Sequence, residues 1–176
     1  LDLRRQIGDT WGIAAALNNL ARATEGEHDY SRAEALYLES LQLFREMEDK
    51  SNSVNPLANL GWMTLAQGQY DRAKAYFIES LALAQELNYL EGVANALQGI
   101  AHVAAVEGQR IRAARLIGVV DQIYQQSDIR LSPLDAMHYN KALEVVQARV
   151  DEATYATAWA EGQTLAVDHV VSGILN

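Results

Sequence analysis

The side chains best suited to chemistry in this chain are its histidines, because imidazole can bind a metal or transfer a proton near neutral pH. There are four of them: His28, His102, His138 and His169. No two have the HExxH spacing of a zinc site, and the chain has no cysteine. The GxxxxGK[ST] and GxSxG patterns of phosphate binding and nucleophilic catalysis are also absent from the sequence. We therefore predict no catalytic residue, no metal site, no cofactor and no enzymatic activity.

The composition indicates a folded, acidic chain that favours helices. Its 176 residues carry a net charge of −9, are 49% hydrophobic and include two prolines. A surface that binds nucleic acid or anionic lipid needs clustered lysine and arginine, and the sequence has no such cluster. No apolar run approaches the roughly 18 residues of a membrane span. We predict that the chain contacts neither nucleic acid nor membrane directly, and the lack of cysteine favours the cytoplasm.

The chain repeats itself every forty residues. Segment 28–47, HDYSRAEALYLESLQLFREM, returns at 68–87 as GQYDRAKAYFIESLALAQEL and, less clearly, at 108–127 as GQRIRAARLIGVVDQIYQQS. Apolar residues within each copy are three and four positions apart, as on one face of a helix, and a glycine near the middle of each unit marks a helix end. We therefore predict that each unit forms two helices joined by a short turn. Such a pair buries its apolar face only by stacking on its neighbours.

Large, small and aromatic residues recur at fixed places in these units. The recurring sets are Leu17/Leu57/Leu97, Ala21/Gly61/Ala101, Ala33/Ala73/Ala113 and Tyr37/Phe77/Ile117. The pattern resembles the tetratricopeptide family over roughly residues 1 to 127, although the usual period of that family is about 34 residues and HEAT-type repeats are the alternative at forty. The resemblance implies an all-α fold, a right-handed α-solenoid of antiparallel helix pairs with a C-terminal helical cap.

We expect three full units with part of another in front of them. The predicted boundaries are 1–9 for the end of a preceding repeat, 10–50, 51–90 and 91–130 for the three repeats, and 131–176 for a C-terminal helical capping segment. The chain begins at Leu1 without a methionine, and LDLRRQIGD lines up with LQLFREMED forty residues later. We therefore expect it to be a piece of a longer protein.

Residues 131–176, called the tail below, depart from the repeat. Ser132 and Pro133 predict a helix start. The helix that follows is expected to run to about residue 150 and to turn four side chains inward: Met137, Leu143, Val146 and Val150. Further along, the tail resembles the end of the tetratricopeptide arm in bacterial signal-transduction ATPases of the STAND class, through Tyr139, Leu143, Tyr155, Trp159, Glu161 and Gly162. This resemblance implies a nucleotide-binding domain elsewhere in a longer protein.

The first helix of each unit carries a polar stripe next to its packing residues, which predicts a binding groove on the concave side of the solenoid. The groove residues are Asn18, Arg22, Asn55, Trp62, Asn95, Gln98 and His102. Side-chain amides can both donate to and accept from an extended peptide, and an indole suits a binding hot spot. The alternative for Trp62 is packing against the neighbouring repeat, and for His102 an ordinary structural role.

These patterns predict a binding protein. The leading hypothesis is a protein- or ligand-binding repeat domain that serves as the C-terminal sensor arm of a larger bacterial signalling ATPase or transcriptional regulator. Its groove would take a protein or peptide partner or a small inducer, and neighbouring domains of the parent protein are further candidate partners. The alternative is a free-standing tetratricopeptide adaptor that binds a partner peptide in the groove.

Overall fold

The computed structural model describes residues 8–127 and 129–176, and within them it contains nine α-helices and no β-strand. The predicted remnant of a preceding repeat at 1–9 lies, for residues 1–7, outside the described residues. The helices are α1 (Thr10–Gly26), α2 (Tyr30–Glu46), α3 (Lys50–Ala66), α4 (Tyr70–Glu86), α5 (Leu90–Val106), α6 (Arg110–Ser127), α7 (Pro133–Gln147), α8 (Glu152–Gly162) and α9 (Val167–Leu175).

Helices α1 to α6 form three pairs that stack in a row. Within the pairs α1 packs on α2, α3 on α4 and α5 on α6, and the contacts of α2 with α3 and of α4 with α5 join one pair to the next. The odd-numbered helices also contact one another in order, α1 with α3 and α3 with α5, and we call them the inner layer. The chain is an all-α, tetratricopeptide-like solenoid, and the predicted fold class is confirmed.

One turn design separates the helices of the solenoid. Helices α1 to α5 have 17 residues each, and the central residue of each turn has a positive φ at every twentieth position. In the turn after α1 the N–H of His28 donates to the carbonyl of Glu25 and that of Asp29 to Thr24, which is the Schellman pattern. Asp29 also caps α2 through its side chain, so it serves both helices. The positive-φ residues are Gly8, His28, Glu48, Gly68, Asn88 and Gly108.

A single aromatic ring joins the second and third units. Phe77 of α4 is fully buried. A Cβ at Gly61 of α3 would lie 2.6 Å from the Phe77 ring, and a Cβ at Gly99 of α5 would overlap the same ring. Two helices of the inner layer therefore approach Phe77 closely enough that only glycine leaves room for it. This contact explains why the residue at position 61 is small.

The repeated Glu-Ser dipeptide ties the two helices of a pair together. The Ser40 hydroxyl donates to the carbonyl of Ala14 at 2.8 Å, and forty residues later Ser80 donates to Val54 at 3.2 Å. Both serines are fully buried. A buried hydroxyl is stable only when it is hydrogen-bonded, so serine at this place in α2 and α4 fixes the position of each helix against its partner.

The tail helices return over both sides of the solenoid. Helix α7 packs on α5 of the inner layer, whereas α8 packs on α6 and α9 on α4. Ser132 accepts from the N–H of Asp135, so the predicted start of α7 is confirmed. Asp151 accepts from the N–H of Thr154 and caps α8 in the same way. The prediction for Met137 is wrong, because this side chain is 55% exposed. The physical reason is that α7 turns the face with Ala142 and Val146 towards the inner layer and leaves Met137 on its open side.

Helix α8 is held against α6 by a close crossing of two glycines. A Cβ at Gly118 of α6 would overlap the carbonyl oxygen of Trp159, and a Cβ at Gly162 of α8 would overlap that of Arg115. An ion pair between Arg115 and Glu161, with 2.6 Å between nitrogen and oxygen, flanks the crossing. The Glu-Gly dipeptide of the tail therefore has a packing role on the side away from the inner layer.

A carboxylate of α6 fastens both α7 and α8. Asp121 accepts from the Tyr139 hydroxyl through Oδ1 and from the Trp159 indole N–H through Oδ2, each at 2.6 Å. Burial and this hydrogen bond raise the pKa of Tyr139. Two aromatic residues that mark the tail in the sequence thus converge on one side chain of the last repeat.

Candidate functional site

Helix α7 covers part of the predicted groove, and Trp62 lies beneath it. The indole is 6% exposed and stacks on the imidazole of His138, with ring centroids 4.2 Å apart and planes inclined by 10°. On another side it meets the ring of Phe77 edge-on at 5.1 Å. Trp62 therefore faces the inner side, as predicted, but it contacts the protein's own tail there.

Polar groups of α3, α5 and α7 form a chain of hydrogen bonds under this cover. The Trp62 indole N–H donates to Oδ1 of Asn95 at 2.9 Å, and Nδ2 of Asn95 donates to Asp135 at 3.3 Å. Asp135 also accepts from the Ser132 hydroxyl at the start of α7. Helix α7 thereby forms a hydrogen bond with Asn95, one of the predicted groove residues.

Gln98 and His102 lie deeper than the sequence suggested. Gln98 is fully buried, and its Nε2 donates to the Tyr124 hydroxyl of α6. His102 is 9% exposed. Both residues face the helices packed around α5, so neither lines the open cleft described below. The reason is that α6 and α7 both pack on α5, and the repeat pattern does not encode the contact with α7.

Three buried polar atoms near α7 have no hydrogen-bond partner among the described residues. They are Oε1 of Gln98, Nδ1 of His102 and Nδ1 of His138. Burial lowers the pKa of both histidines to about 4, which keeps the two imidazoles uncharged at neutral pH. An unsatisfied buried polar atom weakens the packing around it, so the contact of α7 with the inner layer is less favourable than the packing within the repeats.

A large chamber remains open between α1, the start of α2, α3 and the first half of α7. Its volume is about 670 Å³. Its lining combines aromatic, apolar and charged side chains: Asn19, Arg22, Ala23, Glu25, Gly26, His28, Tyr30, Tyr37, Asn59, Trp62, Ala66, Leu134, Met137 and His138. Arg22 is exposed, and no hydrogen bond or ion pair to another described residue holds its guanidinium. Glu25 accepts from the Tyr37 hydroxyl at 2.9 Å, and burial raises the pKa of Glu25.

A small chamber of about 280 Å³ shares Arg22, Asn59 and Leu134 with the large one. Nδ2 of Asn59, a residue that lines both chambers, donates a hydrogen bond to Oδ1 of Asn18 at 3.1 Å. The rest of its lining is mostly polar and acidic: Asn18, Val54, Asn55, Ala58, Tyr89, Glu91, Gly92, Asn95, Ser132 and Asp135. Together the two chambers form what we call the cleft.

The cleft brings together five of the seven predicted groove residues, namely Asn18, Arg22, Asn55, Trp62 and Asn95. Sequence reasoning missed Tyr30, Tyr37 and Asn59, as well as the α7 wall. Tyr37 was assigned to the core from its place in the repeat, and its ring is buried there while its hydroxyl reaches Glu25. The position of α7 has no local signal, because it depends on the direction the chain takes after Ser127.

Among residues 8–127 and 129–176 no three histidine, cysteine or acidic side chains are grouped to hold a metal ion. The same part of the chain contains no helix long and apolar enough to cross a membrane. The cleft places a cation, amides and aromatic rings around a cavity, and this arrangement is suited to binding.

Comparison with known proteins agrees with the geometry of α1 to α4. The comparisons with curated proteins and with solved structures each found no match. Residues 12–86 match the family model described as tetratricopeptide repeat, and repeats of this kind generally mediate protein–protein interaction. The match falls on the two units that share the Glu-Ser dipeptide and the buried aromatic. It supports a tetratricopeptide repeat family for this chain.

Proposed function

We propose that this chain is a sensing domain whose inner side binds a protein, a peptide or a small inducer, and that it forms the C-terminal arm of a larger bacterial regulatory ATPase in the cytoplasm. The observation that carries the proposal is the composition of the cleft walls. One wall belongs to the repeats, through Arg22 and Trp62, and the other to the tail, through Leu134 and His138. An occupant of the cleft contacts both walls. Its binding therefore favours the position of α7 in which both sets of contacts are made.

Helix α7 is the element most suited to move in response. Ala142 and Val146 are its buried residues, whereas α5 beneath it is buried along most of its length. Its contact with the inner layer also includes the unpartnered Nδ1 atoms of His102 and His138. Elements with few buried contacts open at lower free energy than the core. Ligand-dependent movement of α7 is therefore a plausible signal to the rest of a parent protein.

A distance measurement tests this coupling, and the absence of cysteine makes the labelling unambiguous. Nitroxide labels at Asn140→Cys on α7 and Glu27→Cys after α1 occupy exposed positions on the two sides of the cleft. We expect one narrow distance distribution in the free chain and a shifted or second population when the cleft is occupied. An unchanged distribution with a ligand bound in the cleft would refute the sensing role.

The parent protein is tested by the reading frame upstream of Leu1. We expect it to encode a nucleotide-binding domain with a GxxxxGK[ST] loop. In that full-length protein His138→Ala, which removes the stacking on Trp62, is expected to raise basal ATP hydrolysis. An upstream reading frame without this loop would refute the assignment to a regulatory ATPase. The proposed binding function of the cleft would not be affected.

The asparagine side chains of the small chamber favour a second candidate, a free-standing adaptor. Asn18, Asn55 and Asn59 can each donate to and accept from a peptide backbone. An adaptor captures its peptide without any further domain, and we expect Asn55→Ala to weaken capture by the isolated chain. Gln42→Ala, an exposed position on α2, is the matched control and should leave capture unchanged.

A further inference from the structure

We propose that the large chamber binds a small planar organic anion, with its carboxylate on Arg22 and its apolar body against Trp62, Tyr30 and Met137. This inference deepens the proposed function and rests on it, because it names the chemical class of the inducer.

Size favours a small molecule over a helix or a long peptide. The chamber measures about 670 Å³, within the range of typical small-molecule sites. Helix α7 already lies on α5 and over Trp62, so the groove is closed to a second helix along that stretch. What stays open is bounded on the repeat side by α1 and α3 and on the tail side by the first turns of α7.

Charge favours an anion in the large chamber. Arg22 is exposed, and no hydrogen bond or ion pair within the described chain engages its guanidinium. A guanidinium stays protonated at any physiological pH and pairs with a carboxylate through two parallel hydrogen bonds. The carboxyl group that lines this chamber is Glu25, and its Oε2 is already engaged by the Tyr37 hydroxyl. The charge of Arg22 partly offsets the raised pKa of Glu25, so the two side chains attract each other, but no hydrogen bond or ion pair joins them.

The remaining acidic side chains of the cleft belong to the small chamber, which shares Arg22 with the large one. Asp135 and Glu91 line the small chamber, and Asp135 accepts hydrogen bonds from Asn95 and Ser132. Their charge disfavours an anion in the small chamber and directs it into the large one. The His28 and His138 side chains add no acidic charge to the large chamber.

The walls favour a flat apolar body on the anion. Met137 is 55% exposed at the edge of the chamber, although it belongs to a helix that packs on the protein. Methionine adapts its shape to a bound ring and gains from being covered. Tyr30 is partly buried, and its hydroxyl is hydrogen-bonded to His28 at 3.0 Å, which fixes the ring at the chamber mouth.

The inference is tested with three probes that share one ring system: naphthoate, naphthamide and naphthylmethylamine. Their affinities for the intact chain are measured by isothermal titration calorimetry. We expect the carboxylate to bind roughly tenfold more tightly than the neutral amide, the difference typical of a charge-assisted pair. We expect the amine to bind most weakly. Equal affinities for all three, or tightest binding of the amine, would overturn the proposal.

Variants locate the site. Arg22→Gln should abolish the preference for naphthoate over naphthamide, and Arg22→Lys should retain part of it because the charge remains. Glu25→Gln should tighten naphthoate binding because a neighbouring negative charge is removed. Arg32→Gln, at an exposed position on α2 outside the chamber, is the matched control and should change nothing. A naphthoate preference that survives Arg22→Gln would place the anion elsewhere and defeat the inference.

The same titration followed with the labels on residues 27 and 140 separates the two proposals. If naphthoate binds through Arg22 but the distance distribution stays unchanged, the ligand class stands and the sensing role fails. If the three probes bind equally and the distance still responds, the sensing role stands and the ligand class fails.

Discussion

At the residue scale, the side chain that decides the position of the tail is Asp121. Both of its carboxylate oxygens are occupied, one by Tyr139 of α7 and the other by Trp159 of α8. A carboxylate that accepts two hydrogen bonds forms stronger bonds than a neutral acceptor does. One residue of the last repeat therefore sets where two tail helices lie.

Removing this carboxylate should loosen the tail. We expect Asp121→Ala to lower the free energy of unfolding by about 2–4 kcal/mol, because two charge-assisted hydrogen bonds are lost and two partly buried donors are left unpaired. Urea unfolding followed by circular dichroism measures the change. Asp168→Ala, at an exposed position on α9, is the control and should have little effect. Equal losses in the two variants would contradict the role assigned to Asp121.

The candidate site was only partly predictable residue by residue. The forty-residue register placed Arg22, Trp62 and Asn95 on the inner side, because the face of a regular helix follows from periodicity. It did not show that His138 stacks on Trp62. That contact joins two segments far apart in the chain, and its formation depends on how the link after α6 turns, for which the sequence carries no periodic signal.

At the element scale, the turns of the solenoid share one backbone conformation but differ in residue type. The central residue has a positive φ in every turn, and it is glycine at 68 and 108 but His28, Glu48 and Asn88 elsewhere. A left-handed conformation costs roughly 1–2 kcal/mol for most residues and almost nothing for glycine. The sequence suggested glycine as the marker of the turn within each unit. Glycine takes the positive φ there at 68 and 108, whereas His28 takes it in the first unit.

Adding a glycine at one turn and removing one at another should therefore shift the free energy of unfolding in opposite directions. We expect Glu48→Gly to raise the free energy of unfolding by about 1 kcal/mol and Gly68→Ala to lower it by a similar amount. Both positions are exposed, so packing changes little. The midpoints of urea unfolding give the comparison. If the two substitutions moved the midpoint in the same direction, the Schellman geometry at these turns would be in doubt.

Helices α6 and α8 cross with their backbones in close contact. A methyl group at Gly162 would overlap the carbonyl oxygen of Arg115, so we expect Gly162→Ala to push α8 away and to cost about 1–3 kcal/mol or more. Gly173 of α9 has nothing within 4 Å of an added Cβ, and Gly173→Ala should instead stabilise the helix by about 0.5–1 kcal/mol. Thermal unfolding followed by tryptophan fluorescence measures both. A stable Gly162→Ala variant with unchanged fluorescence would rule out the close crossing.

At the scale of the whole molecule, the solenoid and its helix pairing follow from the sequence, whereas the path of the tail does not. Repetition fixes the pairing because each unit must bury the same face against the next. The tail occurs once, so nothing repeats to show which face it covers. It was predicted as a cap, and the described chain places α7 on the inner layer and α8 and α9 on the opposite side.

This arrangement predicts that acid destabilises the molecule. His102 and His138 have pKa values of about 4 because they are buried, against 6.5 in an unfolded chain. Their contribution to stability is complete above pH 6.5 and is lost as the pH falls towards 4, because the unfolded chain takes up protons first. The charge of Asp135 raises the pKa of His138 and that of Arg22 lowers it. The charges of Arg149 and Lys141 both lower the pKa of His102. Glu25 acts in the opposite sense, because its raised pKa favours the folded state in acid.

Urea midpoints measured between about pH 7.5 and 4.5 test this expectation. The native chain should lose stability steadily below pH 6.5. A variant with His102→Gln and His138→Gln should show a shallower decline, because it lacks the two buried imidazoles. Identical slopes for the two proteins would show that these histidines do not control the acid response.

The equal spacing of the turns has a consequence for how such a gene can change. Because the chain reverses direction every twenty residues, duplication or deletion of a forty-residue block keeps each later helix on its original side of the row. A block of half that length would exchange the sides of every helix that follows and expose apolar faces. Arrays of this design can therefore lengthen or shorten in evolution by whole pairs, while the segment beyond residue 130 continues to meet an equivalent final pair.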